Sequence, residues 1–146
     1  MHKRTQIRNR IATTLSAASG LAGVSIEKNR LYLAASLPAI TIKSLAEEIN
    51  IGDSTMGSTL TYARELDVEV TLVCSAKTNV DTLADTYCEA IEVALENDST
   101  LNSLCNRLIL QKSEFEFDGG DNPETPMART VLTYRIYYTT PANNPA

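Results

Sequence analysis

Three stretches of this sequence gather side chains able to bind or react. Asp118-Gly119-Gly120-Asp121, followed by Glu124, brings oxygen ligands close together, as a calcium or magnesium site requires. The EF-hand spacing is absent, so the segment reads first as a hairpin loop, then as a protein contact, and last as a metal site. Glu65, Asp67 and Glu69 form the second group. Neighbouring carboxylates do acid–base work where their surroundings push their pKa values apart. On an alternating strand they read first as a solvated sheet face, and second as an acidic lining or an intersubunit surface. The third group is the Ser/Thr-rich stretch 50–61 with Gly52 and Gly57. Its glycines do not fit a phosphate-cradling loop and no lysine follows them.

Equipment for catalysis is otherwise sparse. The single histidine is His2, which leaves no internal imidazole for nucleophilic catalysis or a His-rich metal site. Cys74, Cys88 and Cys105 are odd in number and lack C-x-x-C spacing. They read as buried free thiols in a reducing cytoplasm, not as zinc ligands or disulfides. Tyr134, Tyr137 and Tyr138 fall on both faces of one predicted strand, so core packing and an interface anchor are both open to them. The expectation is a protein without enzymatic activity, cofactor or metal.

Those residues sit in a chain of 146 residues, the size of one domain. A hydrophobic share of 43% against 21% charged supports a packed core and excludes disorder. The formal net charge is −5 and it is unevenly placed. Residues 1–30 carry Lys3, Arg4, Arg8, Arg10, Lys28 and Arg30 against Glu27 alone, while the rest of the chain is strongly acidic. An acidic body repels phosphate, so specific nucleic-acid binding is not expected. The basic start reads either as a solvated helix face or as a complement to an acidic partner, a second copy included. No stretch reads as a signal peptide or a membrane span, which points to the cytoplasm.

Hydrophobic periodicity supplies the elements. Ile7, Ile11, Leu15 and Ala18 predict a helix over 4–18, ended by Gly20 and Gly23. A short strand is expected at 31–33, and Pro38 opens another with Ile40, Ile42 and Leu45. Residues 50–61 read as a loop. Strict alternation over 62–74 predicts a strand with Leu66, Val68, Val70, Leu72 and Cys74 inward and an acidic face outward. Thr78 or Asn79 caps a helix to about 97. A helical turn over 99–105, a strand over 107–117, an acidic turn and a last strand over 128–139 complete the domain. Residues 1–3 and 140–146 are expected to be flexible. The order favours an α+β fold, a mostly antiparallel sheet with two main helices packed on one face.

At this point the ordered set of segments resembles a known family. The basic helix Arg4-Thr-Gln-Ile-Arg-Asn-Arg-Ile11 comes first, then Asn29-Arg-Leu-Tyr32 and Leu37-Pro-Ala-Ile-Thr-Ile42. Arg64-Glu-Leu-Asp-Val-Glu-Val70 and a helix with Asp81, Tyr87 and Ile91-Glu-Val-Ala-Leu95 follow. Phe115-Glu-Phe-Asp-Gly-Gly120 and Leu132-Thr-Tyr-Arg-Ile-Tyr137 close the series. Over residues 4–139 the chain resembles the tail terminator proteins of long-tailed bacteriophages, the minor tail protein U type of lambda-like siphophages.

The resemblance implies a protomer of a homohexameric ring that caps the tail tube, ends its polymerisation and offers the head-joining surface. Implied partners are other copies of the chain, the major tail tube protein and a head-completion or neck protein. DNA would pass the lumen without specific binding. The implied location is the head-proximal end of the virion tail, after assembly in the host cytoplasm. Arg4, Arg8 and Arg10, the acidic Glu65, Asp67 and Glu69, and Asp53, Ser54, Thr55, Met56, Gly57 and Ser58 are the expected interface residues. A head- or tail-completion connector of the neck is the alternative within phage assembly. A small-molecule binding module is the alternative outside it.

Overall fold

A computed structural model describes residues 1–27, 37–55, 57, 60–118 and 126–146. The elements are α1 (Lys3–Ala17), a 3-10 turn (Ser19–Leu21), β1 (Ser25–Glu27), β2 (Ala39–Thr55), β3 (Thr61–Ser75), α2 (Val80–Asn97), β4 (Arg107–Asp118) and β5 (Met127–Pro141). The five strands form one sheet in the order β1-β2-β3-β5-β4. β1 is parallel to β2 and the remaining pairs are antiparallel.

Alternation in the central strands decides which face holds the core. Leu66, Val68, Val70, Leu72 and Cys74 of β3 are buried, and so are Leu132, Tyr134, Ile136 and Tyr138 of β5. They join Ile7, Ile11 and Leu15 of α1 and Ala84, Cys88, Ile91 and Leu95 of α2 in one cluster. Each helix therefore turns one apolar stripe onto the same sheet face. Burying an Ile or Leu side chain of this kind contributes about 1.5–3 kcal/mol. The expected α+β arrangement is the one found.

Several local expectations are revised. β2 runs on to Thr55, which pairs with Thr61, so much of the expected loop 50–61 is strand. Glu69 and Thr71, expected on an outward face, are buried: Glu69 keeps only 9% of its surface. The Lys43 ammonium lies against Glu69 at 3.6 Å. Asn79 stands at the head of α2 in a left-handed conformation (φ 57°) and makes no capping bond through its side chain. The stretch 99–105 is a chain of turns with Leu101, Asn102 and Ser103 at positive φ, not a helical turn. β1 was not expected, and the strand expected at 31–33 lies outside the described residues, as does 119–125. The two ends of the chain meet, since Lys3 N–H donates to the Pro145 carbonyl at 2.8 Å.

Three irregularities interrupt the ladders among the described residues, one of them between the pairs Asn50–Ala63 and Thr55–Thr61, and the other two are single-residue bulges. Leu45 is an extra residue in β2 between the pairs Ser44–Val68 and Ala46–Asp67. Gln111 is extra in β4, between Leu110–Tyr134 and Lys112–Thr133. Bulges of this type bend a strand and increase its twist.

Candidate interface residues

The three arginines of α1 are engaged within their own chain. Arg8 donates through Nη1 to Ser44 Oγ at 3.0 Å, which ties α1 to β2 beside the Leu45 bulge. Arg10 donates through Nε to Asp98 at 2.9 Å, and Thr14 reaches the same oxygen at 2.7 Å. Burial pushes the Asp98 carboxyl up, but the Arg10 and Thr14 bonds and the Arg10 charge outweigh it, and the group is held below its ordinary value. Arg4 is half exposed and lies 3.8 Å from Glu47.

Glu47 is the centre of a buried polar cluster that the sequence did not single out. Its side chain accepts from Arg64 Nη1 at 2.7 Å and from the Tyr138 hydroxyl. Arg64 Nε in turn donates to Thr140 Oγ1 at 2.7 Å. The only sequence signal was a charged residue in a run, Glu47-Glu48, beyond an off-period Leu45. Burial and the hydrogen bond to Glu47 push the Tyr138 hydroxyl pKa up.

The acidic residues of β3 are also paired internally. Arg135 on the neighbouring β5 grips Asp67 with two bonds, 2.9 and 3.3 Å, and lies 3.9 Å from Glu65. Glu69 pairs with Lys43 at 3.6 Å and accepts from Thr71 at 3.3 Å. Cross-strand opposite charges of this kind stabilise a sheet locally. The structure thus places the basic residues on the helix side and Glu65, Asp67 and Glu69 on the open side, with separate partners.

In the stretch 53–58, the backbone of Asp53, Ser54 and Thr55 belongs to β2. Ser54 Oγ donates to the Asn50 carbonyl at 2.7 Å and accepts from Ala63 N–H at 3.1 Å, so its hydroxyl bridges an irregular step of the β2–β3 ladder. Gly57 is exposed. Met56 and Ser58 lie outside the described residues.

Tyr134 and Tyr138 are buried under the helices, whereas Tyr137 is half-buried on the open face. The three thiols are buried and free. Burial pushes Cys88 and Cys105 up to about 11 and raises Cys74 as well, which makes all three poor nucleophiles. Among the described residues, no group of three or more His, Cys, Asp or Glu side chains is placed to hold a metal ion. No described helix is long and apolar enough to cross a membrane.

Alternation in β4 did not reveal how its aromatics are used. Phe115 and Phe117 are 69% and 61% exposed at the edge of the sheet. Pairing of Phe115 with Thr130 puts it on the helix-bearing face, and beside it an open groove of about 460 Å³ separates α2 from the sheet.

No protein-family model matches this sequence, and no curated protein does. Among solved structures, a chain from one described as "Virion of native gene transfer agent (GTA) particle" has a TM-score of 0.42 and 9% identity, covering 89% of this chain and 93% of that one. A likeness of that degree identifies neither family nor function.

Proposed function

We propose that this chain is a structural protein of a phage virion, the subunit of a ring that caps the tail tube, ends its growth and presents the surface for head joining. The observation that carries the reading is how the segments of the family resemblance fall on the fold. Residues 4–11 lie in α1, 64–70 in β3, 81–95 in α2 and 128–137 in β5, four elements of one layered domain. The chemistry agrees. The candidate carboxylates of β3 are tied to Arg135 and Lys43, and the thiols are buried with raised pKa values. An acidic body suits a lumen that DNA must traverse without adhering.

The test is the mass of the purified protein across concentration, by native mass spectrometry with and without millimolar magnesium. A six-subunit species of the 15.9 kDa chain supports the terminator ring. Twelve subunits would move the protein to a neck connector. For a chain that remains single, the deciding measurement is tail length in phage lacking it: overlong tubes support the role and tubes of normal length reject it.

A further inference from the structure

We propose that the β4 edge carrying Phe115 and Phe117 docks onto the α1–β2 side of a second copy, in a head-to-tail contact. The inference rests on the ring reading and names the surface that would close it. The first observation is the exposure of two adjacent aromatics on an edge strand. β4 is paired only with β5 among the described residues, and an edge bearing exposed apolar side chains invites association. Nearby, Asp81 and Asp85 of α2 rim the same groove, while Glu116 is paired with Arg129 at 3.3 Å and Glu114 with Lys112. The patch is aromatic, and its surround is net acidic through Asp81 and Asp85.

The second observation is its complement at the other side of the sheet. Leu45, the bulge residue of β2, is 47% exposed and lines a recess with Arg4, Arg8 and the buried Glu47. α1 carries Lys3, Arg4, Arg8 and Arg10 and no acidic residue at all. That side is apolar with a net basic surround. Two β4 patches facing each other would bring like charges together, whereas a β4 patch facing an α1–β2 side brings opposite charges around an apolar centre. The two sides lie toward opposite ends of the strand order β1-β2-β3-β5-β4, so the contact is heterologous and leaves each copy with one unused partner surface. Repetition of such a contact closes a ring or extends a filament.

This differs from a contact through Glu65, Asp67 and Glu69. Those carboxylates already hold Arg135 and Lys43, so freeing them would break bonds inside the subunit, whereas Asp81 and Asp85 form no ion pair among the described residues.

The experiment uses two variants of the full chain, Phe115→Glu and Leu45→Glu, each breaking one side. Both positions are exposed, so thermal melts matching the parent serve as the control for folding. In native mass spectrometry each variant alone should fall to the mass of a single chain. An equimolar mixture should give a dimer containing one of each, because each retains the side the other lacks, and added salt should weaken it. Assemblies that persist in either variant overturn this surface and leave the ring itself standing. Variants that dissociate but give no mixed dimer overturn the head-to-tail pairing. A parent chain that is single at every concentration overturns docking between free copies, and the ring is then judged by tail length alone.

Discussion

Arg64 Nη1 lies 2.7 Å from Glu47 Oε1, and the two side chains are only 12% and 7% exposed. The pair joins adjacent strands, and through Tyr138 and Thr140 it also holds β5. Removing one partner of a buried ion pair leaves the other charge without compensation, at a cost of about 3–5 kcal/mol. Glu47→Ala should destabilise the protein by that order in urea unfolding. A double variant, Glu47→Leu with Arg64→Met, should recover much of the loss, because it removes both charges at once.

Close packing between the 3-10 turn and α2 gives a second outcome. A Cβ added at Gly20 would stand 2.9 Å from Ala90 Cβ, and both atoms are fixed to backbone. Gly20→Ala should therefore cost about 1–3 kcal/mol, the range for overpacking a filled site. Pairing it with Ala90→Gly, which removes the opposing methyl, should ease the clash; thermal unfolding of the two variants makes the comparison.

Acid should weaken the protein in two windows. His2 Nδ1 accepts from Arg4 N–H at 3.1 Å at the start of α1, and only an unprotonated nitrogen can do so. Burial, then the nearby Arg4 charge, lowers the His2 pKa from 6.5. A lowered histidine pKa means the unfolded chain binds the proton more readily, so its contribution is complete above 6.5 and declines as pH falls through the window below. Asp98 is likewise held below 3.8, so the Arg10 and Thr14 tie is complete above that value and is lost at lower pH. His2→Asn should flatten the upper decline in a stability–pH profile and leave the lower one.

Thiol accessibility offers a simple check on the core. Cys74, Cys88 and Cys105 are all buried, and Cys88 and Cys105 stand at about 11. At neutral pH none should react with an aromatic disulfide reagent over minutes, and all three should titrate in denaturant. A thiol that reacts in the native protein would place that part of the helix–sheet interface in exchange with solvent.

What the sequence made legible follows from regularity. β3 has no bulge, so the strict alternation from Leu66 to Cys74 displayed its buried face directly, and α2 showed its stripe in the same way. β2 was readable only as far as Ile42, because the extra Leu45 shifts the inward positions from even to odd numbers and sends Glu47 under the helices. The second half, polar and out of step, therefore read as loop. The pairings of the candidate residues were not legible either. Which acid Arg135 or Arg10 meets depends on strand order and on the packing of α1 against the end of α2, and neither has a local signature.

The two single-residue bulges, at Leu45 and Gln111, have a consequence for shape. In β4 the inward positions change from Leu108 and Leu110 to Phe115 and Phe117, again from even to odd, with Gln111 absorbing the change of phase. Because the residues after Gln111 already pair in the phase of a regular strand, deleting Gln111 leaves every partner and every inward side chain in place. The same holds for Leu45 in β2. Each is a removable spacer: without it the ladder is preserved and only the local bend and twist of that edge are reduced. Curvature in this protein is therefore separable from its pairing, adjustable by one residue at either margin of the sheet.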